Sequence, residues 1–375
     1  MSIKAECMDL KTDITVVIST FNRCEMLPAA IESVLTQEAS GVSYELIVVD
    51  NNSTDSTKQV VQSFINQGHQ NLRYVFEPQQ GLSYGRNAGI KNARGAIIVF
   101  FDDDVRAHPD WLSNIKRAFD LYTEIDCVAG KILPNWKSDP PPWLTTDHWT
   151  PLALQDHGNI PLCADQERPL PLAGANLAFR RHVFQDALFS PDFPRGQDLE
   201  FLVRFWRAGG RAMFVPDVVV FADVQPERLT KQFHRQWHTS NGRFNSLMRL
   251  GEHVGADGRI LVNSATSVKL FEASAFLYRQ LIDACGEWLM AKAARGPESL
   301  SFKHENRVRF MMGYIRTRYQ HEFASRNRSH LVEVGRFIKD ILTKKIRSHF
   351  SRDNGHNRPE HPASHRSSNV ETKKL

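Results

Sequence analysis

The sequence contains few cysteines and no pattern that would pair them. There are five, an odd number, and none belongs to a Cys-x-x-Cys pair: Cys7, Cys24, Cys127, Cys163 and Cys285. A disulfide framework or a zinc site built on cysteines is therefore not indicated. We expect reduced thiols in a cytoplasmic protein.

Long apolar runs are also absent. No uncharged stretch approaches the roughly 20 residues that a membrane-spanning helix needs. Residues 1–11 carry charges at Lys4, Glu6, Asp9 and Lys11 and lack the apolar segment of a signal peptide. Two glycine-rich phosphate-binding motifs are missing as well: no Gly-x-Gly-x-x-Gly follows the first predicted strand, and no Gly-x-x-x-x-Gly-Lys-Ser/Thr occurs. These absences argue against an NAD- or FAD-type dinucleotide fold and against a P-loop.

Acidic residues become scarce toward the end of the chain. The sequence has a net charge of +5, but residues 303–375 hold 17 basic against 7 acidic residues. A basic end is typical of a solvated helix face and tail, and it also suits an anionic lipid surface. Nucleic-acid binding is not expected, because aromatic residues are not interleaved with the basic ones as a stacking platform.

The sequence does contain an apolar run that ends in carboxylates. Residues 96–101 are apolar and are followed by three aspartates at 102–104, and a second apolar run at 46–49 ends at Asp50. The pattern predicts buried strands with acidic ends, because unpaired carboxylates are not tolerated inside a core. In an open α/β sheet, ligands bind beyond the carboxyl ends of the strands, so these acids are candidates for one site.

Periodicity predicts strands and helices in alternation over the first part of the chain. The predicted strands are residues 14–18, 46–50, 72–76 and 96–101, and the intervening helices follow the spacing of apolar residues typical of one helix face. This order predicts an α/β fold with a doubly wound, mostly parallel central sheet and helices on both faces. The helix at 81–93 is predicted to end with Gly95 in the C′ position.

The remaining chain is predicted to be less regular and then helical. Residues 134–171 read as a long irregular loop, followed by short strands at 212–215 and 218–222 and by helices from Pro226 to about Phe350. The predicted domains are 1–250, with halves at 12–130 and 131–250, then a C-terminal helical extension at 251–350 and a disordered basic tail at 351–375.

Six motifs resemble those of family 2 glycosyltransferases, the inverting nucleotide-sugar enzymes of GT-A fold. They are VISTFNR at 17–23, VDNNSTD at 49–55, GLSYGRNAG at 81–89, FDDD at 101–104, GAN at 174–176 and GQDLE at 196–200. They occur in family order over residues 12–240. The resemblance implies a GT-A catalytic domain that binds a nucleotide-sugar donor together with Mg²⁺ or Mn²⁺.

The resemblance also implies roles for individual side chains. Asp198 matches the general base that deprotonates the acceptor hydroxyl, Asp50 the acid that hydrogen-bonds the nucleobase, and Asp104 the metal-binding acid. Arg86 matches a donor-contacting arginine, and Asp102 the acid on the ribose and sugar side. The complete donor-binding set is Thr20, Asn22, Asp50, Asn52, Arg86, Asp102 and Asp103, and the acceptor-side candidates are Gly174, Asn176, Glu200 and Trp143.

The sequence departs from the family pattern at two positions. Gln197 stands where the family usually has Glu, and Asp223 falls near a position where many relatives carry a metal-binding His. The third protein contact to the metal therefore stays open, with His234 and His238 as alternatives.

Each assignment also has a structural alternative. The acids at 102–104 could form a solvated turn, Asp50 could cap the next helix, and Asp198 could belong to a charged first turn that the helix dipole favours. Arg86 could form a surface salt bridge. Trp143 could belong to a small satellite core instead of an acceptor-binding lid.

We therefore predict a metal-dependent inverting glycosyltransferase that moves a sugar from a nucleotide donor, a UDP-sugar by preference, to a hydroxyl of a glycan or lipid-linked acceptor. The alternative is a catalytically idle nucleotide-sugar-binding or scaffold protein of the same fold. HRQW at 234–237 only loosely echoes the Gln-x-x-Arg-Trp motif of processive synthases, which favours transfer of a single sugar. An apolar stripe at 270–289 with basic residues beyond it predicts peripheral attachment to the cytoplasmic face of a membrane, the alternatives being packing on the same domain or on a second subunit.

Overall fold

The computed structural model describes residues 12–193, 195–249, 259, 269–270 and 273–320. Its strands are β1 Ile14–Thr20, β2 Tyr44–Asp50, β3 Leu72–Phe76, β4 Ile97–Phe101, β5 Val105–Ala107, β6 Cys127–Trp136, β7 Leu162–Ala164, β8 Asn176–Arg180, β9 Ala212–Val224, β10 Lys269–Leu270 and β11 Ala273–Ser274. Its α-helices are α1 Leu27–Leu35, α2 Thr57–Asn66, α3 Leu82–Asn92, α4 Trp111–Leu121, α5 Gln197–Arg207, α6 Lys231–Leu247, α7 Ala275–Ala293 and α8 Glu298–Arg318.

The described residues form one large mixed sheet and a small hairpin. Strands of the large sheet follow the order β3-β2-β1-β4-β8-β6-β9-β5, and β7 pairs with β9. The first four strands in this order are parallel, whereas β8 is antiparallel to both of its neighbours, β4 and β6. The parallel half confirms the doubly wound α/β prediction, and β4 lies near the centre of the sheet.

Alternate residues of the central strands face two separate layers of helices. In β1, Val16 and Ile18 pack into a core with α1, α2 and α4, whereas Val17 packs into a second core with α3 and α5. In β4, Val99 belongs to the first core and Phe100 to the second. Because both faces of β4 are covered, only its ends can carry charged groups.

The predicted role of Gly95 as a C′ cap is wrong. Helix α3 ends at Asn92, its C-cap Ala93 has an extended conformation, and Gly95 is not among the glycines with positive φ. A Cβ atom on Gly95 would lie 2.7 Å from the carbonyl carbon of Ile14. The position therefore requires glycine because the backbones of two neighbouring segments approach closely.

The two short strands predicted at 212–215 and 218–222 are one strand, β9. Its pairing with β6 jumps from Phe214, opposite Ala129, to Val219, opposite Lys131. The extra residues form a bulge that contains Pro216, where the missing N–H removes no ladder hydrogen bond. The sequence pattern broke at this proline, but the strand continues past it.

The region predicted as an irregular loop is only partly irregular. Strand β6 extends to Trp136, and the chain then forms short 3₁₀ turns at Thr146–His148 and Thr150–Leu152 before β7. Trp143 is 8% exposed, with ring centroids 5.0 Å from His234 of α6 and 4.9 Å from Phe302 of α8. The loop is therefore held against two of the C-terminal helices.

Helix α8 packs against both α6 and α7, and the β10–β11 hairpin interrupts the predicted helical run. Part of the predicted apolar stripe is covered, since Leu277 packs near Tyr314, and Leu281 and Trp288 pack near Met311. Among the residues that the structure describes, no helix combines the length and apolar character needed to cross a membrane. The tail at 351–375 and residues 321–350 of the extension lie outside the described residues, and the domain boundary at residue 250 stays a prediction.

We expect the substitution His234→Phe to make the free energy of unfolding less dependent on pH in mildly acidic solution. Burial, and then the neighbouring His148, lower the pKa of His234 to about 4, whereas the unfolded chain titrates near about 6.5. Between these values the unfolded chain binds more protons than the folded protein, so stability falls as the pH decreases through this window.

Urea unfolding at about pH 7 and about pH 5 measures the effect, and wild type should lose roughly 1 to 2 kcal/mol more than His234→Phe. The substitution His182→Asn, at a side chain that is 58% exposed, is the control and should follow wild type. Equal pH dependence of wild type and His234→Phe would contradict this account of the buried ring.

Candidate active site

A cleft of about 610 Å³ opens at the carboxyl ends of β1 and β4. Its walls include Thr20 at the end of β1, the three aspartates 102–104 after β4, and Asp223 near the end of β9. The structure thus brings the acidic end of the buried β4 strand to a solvent-accessible edge of the sheet, where ligands bind in open α/β folds.

Two of the three aspartates share one arginine at the front of the cleft. Arg23 Nη1 lies 2.6 Å from Asp103 Oδ1 and 3.0 Å from Asp104 Oδ2. Asp103 is 5% exposed, and its other oxygen accepts a hydrogen bond of 2.7 Å from the hydroxyl of Thr20. Asp103 therefore anchors Thr20 and Arg23, and its predicted contact with the donor stays a prediction.

The first aspartate faces a different arginine. Arg86 of α3 contacts Asp198 of α5 through Nη1, and its Nη2 lies 3.5 Å from Asp102 Oδ1. Arg86 is 3% exposed, so the alternative of a surface salt bridge is wrong. One buried cation thus joins the predicted base to the first acid of the motif.

The environment of Asp102 makes its carboxyl group less acidic. Burial raises its pKa to about 6, Arg86 opposes this shift, and Asp104 and Asp103 add to it. The side chain is still 37% exposed, so solvent, or a cation bound in the cleft, would lower this pKa again. A ligand that brings positive charge would therefore favour the ionised form.

The predicted metal ligand is Asp104. Its side chain is 16% exposed and lines the cleft. Asp223 is adjacent, since its backbone N–H donates to the Asp104 carbonyl at 3.0 Å, but its carboxylate is held by Arg106 at 3.1 Å and Lys137 at 3.0 Å. His234 and His238 are not among the described residues that line the cleft, and the third protein contact to the metal stays open.

The carboxylates nevertheless fit a hard divalent cation. Within the described part of the chain, no three His, Cys, Asp or Glu side chains converge as a complete metal cage. Mg²⁺ and Mn²⁺ bound with a nucleotide use only one or two protein carboxylates, because phosphate oxygens and water supply the other ligands. Asp104, with Asp102 beside it, provides such a partial set.

The predicted nucleobase contact, Asp50, is the last residue of β2, and the donor-binding candidates Asn22 and Asn52 follow β1 and β2. Asp50 is 3% exposed, and its oxygens accept from the backbone N–H of Ser53 at 2.9 Å and from the Tyr74 hydroxyl at 2.8 Å. Burial, and then this hydrogen bond, raise the pKa of Tyr74. Asn22 and Asn52 are exposed and both have positive φ, 51° and 65°. Asp50 thus orders the turn that follows its strand instead of capping α2, which begins at Thr57.

The acceptor-side candidates occupy different surroundings. Asn176 is 1% exposed, and its side chain accepts from Trp111 and donates to the carbonyls of Lys131 and Val218, so it stabilises the core and does not face the cleft. Trp143 is buried in the first core, together with side chains of β1 and β4, and not in a separate satellite core. Glu200 pairs with Arg204 at 2.6 Å.

Gly174 has a different role, which the sequence did not reveal. A Cβ atom at this position would come within 2.5 Å of the Asp198 carboxyl carbon and 2.6 Å of Arg86 Nη2. Glycine therefore leaves the space in which the Arg86–Asp198 pair forms.

Several residues that line the cleft were not predicted. At the carboxyl ends of β1, β2 and β3, the cleft is lined by Ser19, Arg23, Asn51 and Gln80. The remaining walls include Arg195, Arg228 and Trp237. Arg23 ends the first motif and Trp237 ends HRQW, so both lay in segments that the sequence had already singled out. Arg195 and Arg228 carried no signal of their own, because only the folded chain brings them to the cleft.

Comparison with known proteins gives the family. The family described as Glycosyl transferase family 2 matches residues 15–185. Glycosyltransferase AglE of Haloferax volcanii is 28% identical over 224 residues, covering 59% of this chain and 70% of that protein. The GalNAc(5)-diNAcBac-PP-undecaprenol beta-1,3-glucosyltransferase of Campylobacter jejuni is 36% identical over 123 residues, 32% of this chain and only 39% of that protein.

A solved structure supports the fold. The mannosyltransferase PcManGT from Pyrobaculum calidifontis, in complex with GDP-Man and Mn²⁺, aligns with a TM-score of 0.55 at 16% identity and covers 82% of this chain and 88% of that one. The matched segment contains Asp50 and the three aspartates of the cleft. Together with the mixed sheet and the position of these acids, the comparisons show that residues 15–185 form a glycosyltransferase family 2 domain and that the chain is a glycosyltransferase of GT-A fold.

Proposed function

We propose that this chain is a metal-dependent inverting glycosyltransferase that transfers one sugar from a nucleotide sugar, preferably a UDP-sugar, to a hydroxyl of a glycan or lipid-linked acceptor. The observation that carries the proposal is the cleft at the end of β4, where Asp102, Asp103 and Asp104 meet Arg23 in a space of about 610 Å³. A cleft of this size accommodates a ligand as large as a nucleotide sugar.

The side chains divide the work between two ends of the cleft. On the donor side, Thr20 and Asn51 lie beside the acids, and Asp50 lies behind the turn that would meet the nucleobase. Asp198, at the start of α5, is the proposed base that accepts the proton of the acceptor hydroxyl as that oxygen attacks the sugar. Arg195 and Trp237 line the wall next to α5 and α6, where the acceptor would enter.

Asp104 would hold the divalent cation, with Asp102 close to it. When bound, Mg²⁺ or Mn²⁺ neutralises negative charge that develops on the leaving diphosphate. Arg228 Nη2 lies 3.8 Å from Asp104 Oδ2, so this arginine is placed to approach the same phosphate groups. Mn²⁺ and GDP-Man accompany the neighbouring structure, which supports the assignment of both ligand classes.

The acceptor class rests on the names of relatives. One relative acts on a diphosphate-linked undecaprenol acceptor by its name, and another is named Glucosyl-dolichyl phosphate glucuronosyltransferase, 24% identical over 175 residues and matched over 54% of its length. A lipid-linked acceptor is therefore the proposal for this chain. A catalytically idle protein is the alternative, since Gln197 replaces an acid beside the proposed base.

The substitution Asp104→Ala should abolish metal-dependent binding of the nucleotide while the fold survives, because a carboxylate at the rim contributes little to the core. Isothermal titration of UDP with and without Mn²⁺ measures the effect. Asp120→Ala removes an exposed carboxylate of α4 and is the control. Unchanged affinity in Asp104→Ala would show that the metal role is wrong.

The substitution Asp198→Asn should keep nucleotide binding and lose transfer, because an amide cannot accept the proton of the acceptor. Release of nucleotide from the sugar donor, measured beside Asp192→Asn as a control, should fall far more than about tenfold, which is about 1.4 kcal/mol of barrier. Turnover within that factor would exclude Asp198 as the base. A wild-type protein that binds nucleotide sugar but releases none would favour the idle alternative.

We also propose that the turn between α7 and α8 contacts a membrane surface. Leu289, Met290 and Leu300 are 65%, 66% and 44% exposed, and Lys292 and Arg295 lie between them in the chain. Two of the basic residues beyond the apolar stripe form ion pairs within the helices: Arg307 pairs with Glu287 and Arg309 with Glu305. Apolar side chains beside cations are the pattern of an interfacial contact with anionic lipid.

Co-sedimentation of the full chain with anionic and neutral vesicles tests this contact. We expect binding to anionic vesicles at low salt that weakens at high salt, and a large loss of binding in the double variant Leu289→Gln/Met290→Gln. Leu121→Gln, at an equally exposed leucine of α4 (68%), is the control. No binding by wild type, or equal binding by the double variant, would refute the proposal.

A further inference from the structure

We propose that Arg86 is a positioning residue, which holds the base Asp198 in register with the donor-side acid Asp102 and does not itself contact the donor. This inference rests on the proposed function and assigns to Arg86 a role that differs from the donor contact implied by the resemblance. It is carried by the burial of Arg86, by its two carboxylate partners and by the space left at Gly174.

The guanidinium group of Arg86 packs against two aromatic rings. Its guanidinium carbon lies 5.5 Å from the ring centroid of Phe100 and 5.3 Å from that of Phe189. Both rings are essentially buried and contact each other edge to face, with centroids 5.1 Å apart, so the cation packs against one buried aromatic cluster. Burial lowers the pKa of Arg86, and Asp102 opposes that shift. A charge this deeply buried is stable only with carboxylate partners.

The two partners come from opposite halves of the predicted catalytic domain. Asp102 follows β4 in the donor half, and Asp198 belongs to the first turn of α5 in the acceptor half. Arg86 contacts Asp198 through Nη1 and approaches Asp102 through Nη2 at 3.5 Å. A rigid guanidinium fixes the separation of the two groups that it joins, whereas a donor contact alone would not require a second carboxylate.

Hydrogen bonds hold helix α3, which carries Arg86, against the segment at residues 189–190. Asn87, the next residue of α3, exchanges hydrogen bonds of 2.9 and 3.0 Å with the backbone of Phe189. The hydroxyl of Ser83, one turn earlier, donates to the carbonyl of Ser190 at 2.8 Å. These bonds fasten α3 to the segment that carries Phe189. The backbone of Arg86 therefore cannot move away from Phe189 without breaking them.

The location of Arg86 separates it from the donor. Asp102 is among the described residues that line the cleft, whereas Arg86 and Asp198 are not; the side chain of Asp198 is still 27% exposed, but that of Arg86 is only 3% exposed. Arg23, by contrast, lines the cleft and is 36% exposed in its side chain. A nucleotide sugar in the cleft would therefore meet Arg23 directly and Arg86 only through Asp102.

The proposed role predicts different effects on nucleotide binding and on catalysis when Arg86 is replaced. If Arg86 orients Asp198, its removal should leave the nucleotide site largely intact while the base points away from the acceptor oxygen. Proton transfer depends steeply on this geometry, because the base must reach the hydroxyl within hydrogen-bond distance. The loss should then appear in kcat and not in nucleotide affinity.

The experiment compares Arg86→Met, Arg86→Lys, Asp198→Asn and the double variant Arg86→Met/Asp198→Asn in the full chain. Titration with UDP and Mn²⁺ gives the nucleotide affinity, and release of nucleotide from the sugar donor that wild type turns over gives kcat. We expect Arg86→Met to change the Kd for UDP by no more than about threefold and to lower kcat by about 100-fold, with partial recovery in Arg86→Lys. The double variant should be no slower than Asp198→Asn, because both changes act on one step.

Arg73→Met is the matched control, since Arg73 forms an ion pair of 2.8 Å with Glu45 at the far side of the sheet. It should lose stability without loss of kcat. A Kd for UDP that rises as much as kcat falls would overturn the proposal in favour of a donor contact. Further loss of rate in the double variant would overturn it as well.

One readout does not depend on turnover. A crystal structure of Arg86→Met should show the Asp198 side chain in a new rotamer, and an unchanged Asp198 would overturn the proposal. If wild type neither binds UDP with Mn²⁺ nor releases nucleotide, the proposed function fails, whereas the structural readout still decides whether Arg86 positions Asp198.

Discussion

Burial of β4 on both faces is the constraint on which the site depends. A strand covered by two layers of helices cannot carry charge along its length, so its carboxylates are confined to the residues that follow Phe101. The same burial makes the strand a rigid base for those carboxylates. Because β1 and β4 are parallel neighbours, the segment after Thr20 reaches the same edge and supplies Arg23 as a counter-charge.

Three neighbouring aspartates would repel one another without such counter-charges. The structure separates them between two arginines, with Asp103 and Asp104 on Arg23 and Asp102 on Arg86. Arg23 is accessible from the cleft, whereas Arg86 is buried and also holds Asp198. Charge balance at the end of β4 is therefore coupled to the position of the proposed base, and an incoming cation or diphosphate must enter a network that is already paired.

Helix α6 takes part in the cleft, and α8 packs against it. Helix α6 carries Trp237 on the cleft wall, and its buried His234 packs against Trp143 and Phe302 of the first core. Glu305 of α8 pairs with Arg235 of α6 at 2.7 Å, which fastens these helices together. Helix α6 thus supplies both the part of the cleft wall that contains Trp237 and the surface against which α8 packs.

The sequence by itself determined the parallel half of the sheet, the helices on its two faces and the acids at the ends of β2 and β4. These features follow from local periodicity and from the cost of burying charge, both of which can be read along the chain. Motif order pointed to Asp198 and Arg86 but assigned Arg86 to the donor. Only the tertiary structure decided that Arg86 lies behind the cleft against Asp198, that Asn176 is a core residue, and that Gly174 provides space, because these contacts join segments separated by many residues and depend on which side chains the fold excludes from water.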